Sequence, residues 1–211
     1  MTSILDKGQL GEDFINQIAY KSFFKYWCYP NPKDELGDKK EICDLLIVFK
    51  DVIIIICVKN YEFKGVYDRY FRKTIEKDIK QIAGAERKLT DRRTTVYIKH
   101  PGRSVEIFNK NAVNKIFRVV VHLGEHVRFY PLFERTNKDK FINILDKETF
   151  EMLLSELDTL PDFVEYLEKK EIAFKDRYAI ILPKEENDFD SNTAVDISVI
   201  LTPKTAMLTP L

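Results

Sequence analysis

The sequence predicts an α/β fold whose elements run helix, three strands, helix, strand. Three observations carry this. Leu10, Phe14, Ile15, Ile18 and Ala19 recur at helical spacing, which predicts an amphipathic helix over about Lys7 to Ser22. Ile42 to Phe49 and Val52 to Lys59 are short, rich in Ile and Val, and joined only by Lys50-Asp51, which predicts an antiparallel hairpin. Ile75, Ile79, Ile82 and Leu89 then return to the helical period.

Other elements fill in around these. FFKYWCYP reads as a strand ending at Pro30, and NPKDELGDKK as a polar loop. TTVYIKH reads as the strand after the second helix, before His100-Pro101-Gly102 breaks the chain. Lys115 to Leu123 and Val127 to Tyr130 add strands around a turn at Gly124. Beyond Leu145, KETFEMLLSEL and DFVEYLEKKEIAF form two amphipathic helices separated by Pro161, followed by strands RYAIILP and VDISVILT around a polar KEENDFDSNT loop. A boundary is expected near 136–140, dividing a core of residues 1–136 from an α+β extension of residues 141–211. The closing TPKTAMLTPL, directly after a strand, is expected to lead into further chain.

Composition narrows the function classes. Apolar residues make up 45% of 211, enough for a core of ordinary size, and Lys+Arg and Asp+Glu both total 34. Charge is nonetheless segregated: thirteen Lys/Arg face six Asp/Glu between Lys59 and Arg103, against six and fifteen between Phe141 and Asp196. The acidic C-terminal helices are a candidate surface for a protein partner. Cys28, Cys43 and Cys57 form an odd set without paired spacing, and there is no signal segment, so a cytoplasmic protein is expected. CDLLIVFKDVIIIICV is interrupted by Asp44 and Lys50-Asp51, and neither half reaches the roughly 20 residues of a membrane helix.

The hairpin register locates the chemistry. A two-residue turn at 50 and 51 sets Phe49 opposite Val52, and counting back sets Asp44 opposite Cys57, with Lys59 on the Cys57 face. A carboxylate, a thiol and an ammonium thus converge amid Leu, Ile and Val, where charge is costly unless it pairs or binds something. The competing reading is a structural ion pair of Asp44 with Lys59. By the same alternation Cys43 is expected on the face opposite Cys57, as core. His122 and His126 lie in strand and turn sequence, which excludes a helical metal pair. Glu86 falls on the apolar stripe of Ile82 and Leu89, where a rim position would explain it.

GDKKEICDLLIVFKDVIIIICVKN resembles the core motif of the PD-(D/E)XK, or restriction-endonuclease-like, nuclease superfamily. Asp44 matches its first acid and Lys59 its lysine, while Cys57 stands at its second acid. LGEDFINQI is similar to the family's first helix, with Glu12 as its glutamate, and KDIKQIAGAERKL to the helix after the hairpin, with Gln81 as its polar residue. The resemblance implies an αβββαβ core with a mixed central sheet flanked by helices. It implies Mg²⁺ or Mn²⁺ held by Asp44, the backbone carbonyl of Val58 and Glu12, with Lys59 supporting the attacking water. A thiol is a poor Mg²⁺ ligand, so Cys57 marks either a metal site relying on fewer carboxylates or a silent one. The implied activity is endonuclease-type hydrolysis of DNA, more readily than RNA, in restriction or antiviral defence. Lys64, Arg69, Arg72, Lys73, Lys77 and Lys80, interleaved with Tyr61, Phe63, Tyr67, Tyr70 and Phe71, form a candidate nucleic-acid surface with Gln81.

Overall fold

The computed structural model describes residues 7–60, 74–124, 132–175, 177–183 and 197–203. Helix α1 (Lys7–Lys21) buries Phe14, Ile15 and Ile18. The FFKYWCYP segment is not one strand. The Ser22 hydroxyl accepts a hydrogen bond from the Phe24 N–H at 3.2 Å and starts a single 3-10 turn over Phe23–Tyr26. That turn drives Phe24 into the core, 5.2 Å from the Phe163 ring, and leaves only β1 (Cys28–Pro30) to pair.

β2 (Leu45–Phe49) and β3 (Val52–Lys59) form the expected hairpin, with Phe49 opposite Val52 and Leu45 opposite Ile56. Lys50 takes φ 53° in the turn, a left-handed conformation that costs a non-glycine residue about 1 kcal/mol. The ladder on both sides of β3 holds that turn in place.

Helix α2 (Ile75–Thr90) follows, and then the outcome differs from the sequence reading. TTVYIKH does not enter the central sheet: β4 (Tyr97–Lys99) pairs only with β5 (Val105–Ile107) in a separate two-stranded ribbon. The strand beside β3 is β6 (Lys115–His122), parallel to it from Val52 opposite Lys115 to Lys59 opposite His122. An inner parallel strand is covered on both faces and needs a near-continuous apolar run, which VVVH and the preceding Phe117 supply. Lys99 is exposed and Tyr97 half-buried, as suits a ribbon on the surface.

β7 (Phe133–Arg135) and β8 (Phe141–Asp146) complete a six-stranded mixed sheet of order β1-β2-β3-β6-β8-β7. Helices α3 (Lys147–Glu156) and α4 (Leu160–Phe174) are capped by Asp146 and by a Thr159–Asp162 capping box. β9 (Arg177–Pro183) and β10 (Ile197–Pro203) pair as an antiparallel hairpin. The boundary expected near 136–140 falls in the turn between β7 and β8. β8 is a sheet neighbour of β6, and Phe150 and Phe163 share a core with Phe14, Phe24 and Ile56. The Val127–Tyr130 strand and the KEENDFDSNT loop lie outside the described residues. No described helix is long and apolar enough to cross a membrane.

Helices thus cover both faces of the sheet. On one face α1, α3 and α4 pack over Leu45, Ile47, Ile54, Ile56 and Val119. On the other, Ile75, Ile82, Ala85 and Leu89 of α2 pack over Leu46, Ile53, Ile55, Cys57 and Val120.

Glu86, the acid on the apolar stripe of α2, is buried rather than on a rim. Its carboxylate takes two bonds from Arg118 of β6, at 2.7 and 2.9 Å, and a third from Lys140. Burial alone would raise its pKa, but the two cations more than offset this and leave it below the ordinary carboxylate range. Removing one partner strands a buried charge. Arg118→Ala is expected to lower unfolding stability in denaturant titration by roughly 3–5 kcal/mol, and the apolar pair Glu86→Leu with Arg118→Met by much less.

Candidate metal and phosphodiester site

The site forms where β3 and β6 end. Asp44 sits in a bend immediately before β2, so the antiparallel ladder stops at Leu45 and Ile56. One residue further along, the Val58 N–H has no backbone partner on β2 and donates instead to Asp44 Oδ2 at 2.6 Å. The Lys59 carbonyl accepts from Leu123 N–H at 2.7 Å on the β6 side, so strand alternation turns the Val58 carbonyl toward Asp44. Asp44 and the Val58 carbonyl therefore share the same open edge of β3.

Lys59 is held from α2. Its Nζ donates to Gln81 Oε1 at 2.8 Å and lies 3.6 Å from Asp78 Oδ1. No Asp44–Lys59 ion pair forms among the described residues, which removes that competing explanation for the two charges. The Lys59 side chain keeps about a fifth of its surface exposed.

Three further groups complete the arrangement, and sequence reasoning did not assign any of them. Asp78 is buried between Lys59 and His122, whose Nε2 lies 3.6 Å from Oδ2, and neither carboxylate oxygen has a hydrogen-bond partner among the described residues. Burial pushes its pKa up to about 7, against the opposing pull of Lys59. His122 ends β6 directly beside Lys59, and burial with the Lys59 charge pushes it down to about 4, so it is neutral at pH 7. Glu41 sits at the surface next to Asp44; its carboxyl is raised by partial burial and then by the charge of Asp44 and a hydrogen bond with it. Asp78 had a legible signal, since it falls on the apolar stripe of Ile75 and Ile82. His122 became meaningful only through the β3–β6 pairing, and Glu41 only through the bend at Asp44.

Cys57 is fully buried, and desolvation holds its thiol well above the ordinary range, so it is a protonated core side chain. Cys43 does not lie opposite it. Residues 42–44 fall outside the strand, alternation stops there, and both sulfurs enter the same core cluster as free cysteines. Glu12 lies in α1, but its side chain is outside the described residues, as are Lys64, Arg69, Arg72 and Lys73. Among the described residues no group of three His, Cys, Asp or Glu side chains is arranged to hold a metal, so any cation here would draw on backbone and water oxygens as well.

No family model matches the chain, and no curated protein matches it. Among solved structures it is similar to the small subunit of the heterodimeric restriction endonuclease R.BspD6I, at 11% identity and a TM-score of 0.38, over 77% of this chain and 87% of that one.

The sign of the Asp78 shift is testable. A carboxyl raised in the fold contributes stability that is fully present below pH 3.8 and is lost as pH rises through about 7. Asp78→Asn removes that dependence. The melting temperature of the variant is expected to gain on the wild type as pH rises from 5 to 8.

Proposed function

We propose that this chain hydrolyses DNA phosphodiester bonds with a divalent cation held at Asp44. The observation that carries the reading is the Asp44 carboxylate and the Lys59 ammonium at one strand end, with Lys59 held by Gln81 rather than neutralised by Asp44. The donor set suits a hard cation: the Asp44 carboxylate, the Val58 carbonyl and the neighbouring Glu41 carboxylate are all oxygen, as Mg²⁺ and Mn²⁺ prefer. The charge of Asp44 helps to raise the Glu41 carboxyl, and a divalent ion between them would relieve that repulsion. Glu12 remains a further candidate ligand. When bound, such an ion lowers the pKa of an attacking water and neutralises charge on the phosphate.

The residues themselves would do the rest. Asp44 fixes the position of the ion against the rigid β3 edge, through a carboxylate already oriented by the Val58 amide. Lys59 directs its ammonium at the scissile phosphate, where a fixed cation offsets charge that develops as one P–O bond forms and another breaks. Gln81 holds the Lys59 side chain extended. Asp78, which takes up its proton near neutrality, and neutral His122 line the inner wall behind Lys59. The association with restriction or antiviral defence belongs to this same reading.

One observation favours a second reading. Cys57, at the position of the missing acid, is a buried protonated thiol and no ligand, which fits a catalytically silent module that binds nucleic acid or a protein partner.

Cleavage of plasmid and single-stranded DNA in Mg²⁺ and in Mn²⁺ separates the two. Asp44→Ala and Lys59→Ala are each expected to lower the cleavage rate by roughly 100-fold or more, as for loss of a charged group acting on the transition state. Undiminished cleavage by both variants contradicts the assignment. An inert wild type, with activity gained in Cys57→Glu, supports the silent module.

A further inference from the structure

A groove of about 580 Å³ runs along the outer side of α2, between that helix and the β7–β8 turn. Its helix wall is Glu76, Ile79, Lys80, Ala83, Arg87 and Thr90, the i, i+3, i+4, i+7 face next to the core stripe. Its opposite wall is Arg135 to Lys140, without the exposed Asp139. Five cations line it against two carboxylates, and Glu86 is already neutralised by Arg118 and Lys140. Arg135 is engaged with Asp139 and with the Phe174 and Lys175 carbonyls. Lys80, Arg87 and Lys138 are exposed, and their side chains have no ion pair or hydrogen bond to any described residue. Three cationic side chains without partners, against the single Glu76 carboxylate, leave the groove with an excess of positive charge.

The groove also has a direction. Glu76 to Thr90 spans roughly 21 Å at ~1.5 Å rise per residue. Duplex DNA carries one phosphate per strand for each ~3.4 Å of its helix axis, so a groove of that length suits several phosphates rather than a single small anion. Near its Glu76 end the groove is lined by Lys80, the residue before Gln81, which holds Lys59.

We propose that this groove is a DNA phosphate track, in which Lys80, Arg87 and Lys138 contact the backbone of the duplex flanking the Lys59 site. The inference rests on the nucleic-acid reading given above, but not on catalysis, and it extends the basic surface expected up to Lys80 by the groove residues Arg87 and Lys138.

The test is equilibrium binding of a fluorescein-labelled 30-base-pair duplex, followed by anisotropy from low to moderate salt. It compares Asp44→Ala, which prevents cleavage, with the same chain carrying Lys80→Gln, Arg87→Gln and Lys138→Gln. Each lost phosphate contact removes about 0.9 from the slope of log affinity against log salt, so the slope is expected to shrink by roughly 2.7 and affinity at low salt to fall about 10-fold or more. Circular dichroism of the variant should match the parent, because all three side chains are at the surface. An unchanged slope and affinity overturns the proposal, as does a parent chain that binds no duplex at low salt. Equal binding of a polyglutamate peptide with the same slope would assign the groove to acidic protein segments and overturn it too. A parent that binds in this manner while the wild type fails to cleave leaves the track standing and removes only the catalytic reading.

Discussion

With Phe49 fixed opposite Val52, each residue of β3 faces a determined side, and the site follows from that register. The odd residues 53, 55 and 57 point to α2 and the even residues 54 and 56 to the opposite core. A slip of one residue would turn Cys57 and Lys59 away from α2, break the Lys59–Gln81 hydrogen bond and expose an apolar face. Two flanking ladders oppose such a slip: β2 on one edge, and β6 across all eight residues on the other. The turn contributes little to register, since Lys50 sits there at positive φ against its own preference.

The chemistry arises where those ladders run out. Strand ends leave backbone groups without partners, and here the unpaired Val58 amide orients Asp44 while the Val58 carbonyl remains directed to the same edge. Placing Lys59 at the last residue of β3 brings it beside His122 and beneath α2, so the ammonium is fixed by Gln81 and Asp78 without being sealed off. Burial acts on its two neighbours in opposite senses. It makes Asp78 hold a proton up to about pH 7 and makes His122 give one up down to about pH 4. At physiological pH the wall behind Lys59 is therefore a neutral His122 and an only partly ionised Asp78, so Lys59 is not fully neutralised from behind.

Local pattern made the hairpin, α1, α2, α3 and α4 legible, because each rests on periodicity and short connections. That Asp44 lies near the end of β3 was legible for the same reason, but Asp44 sits in a bend and accepts from the Val58 amide instead of pairing with Cys57. What failed was long-range or depended on where a strand stops. TTVYIKH and KIFRVVVH both read as strands, and only the demand for an apolar run covered on both faces decides which lies beside β3. The position of Cys43 failed because alternation was carried two residues beyond the first residue of β2. Glu86 was read as marginal because its partner Arg118 is thirty-two positions away on another element.

The central claim is that Asp44 and the β3 edge hold a hard divalent cation. Titration of Mn²⁺ followed by electron paramagnetic resonance, on the wild-type chain and on Asp44→Ala, tests it directly and independently of turnover. The account predicts one saturable site in the wild type that disappears in the variant, while Cys57→Ser keeps it. Equal Mn²⁺ binding by the wild type and Asp44→Ala, or no binding by either, would contradict it.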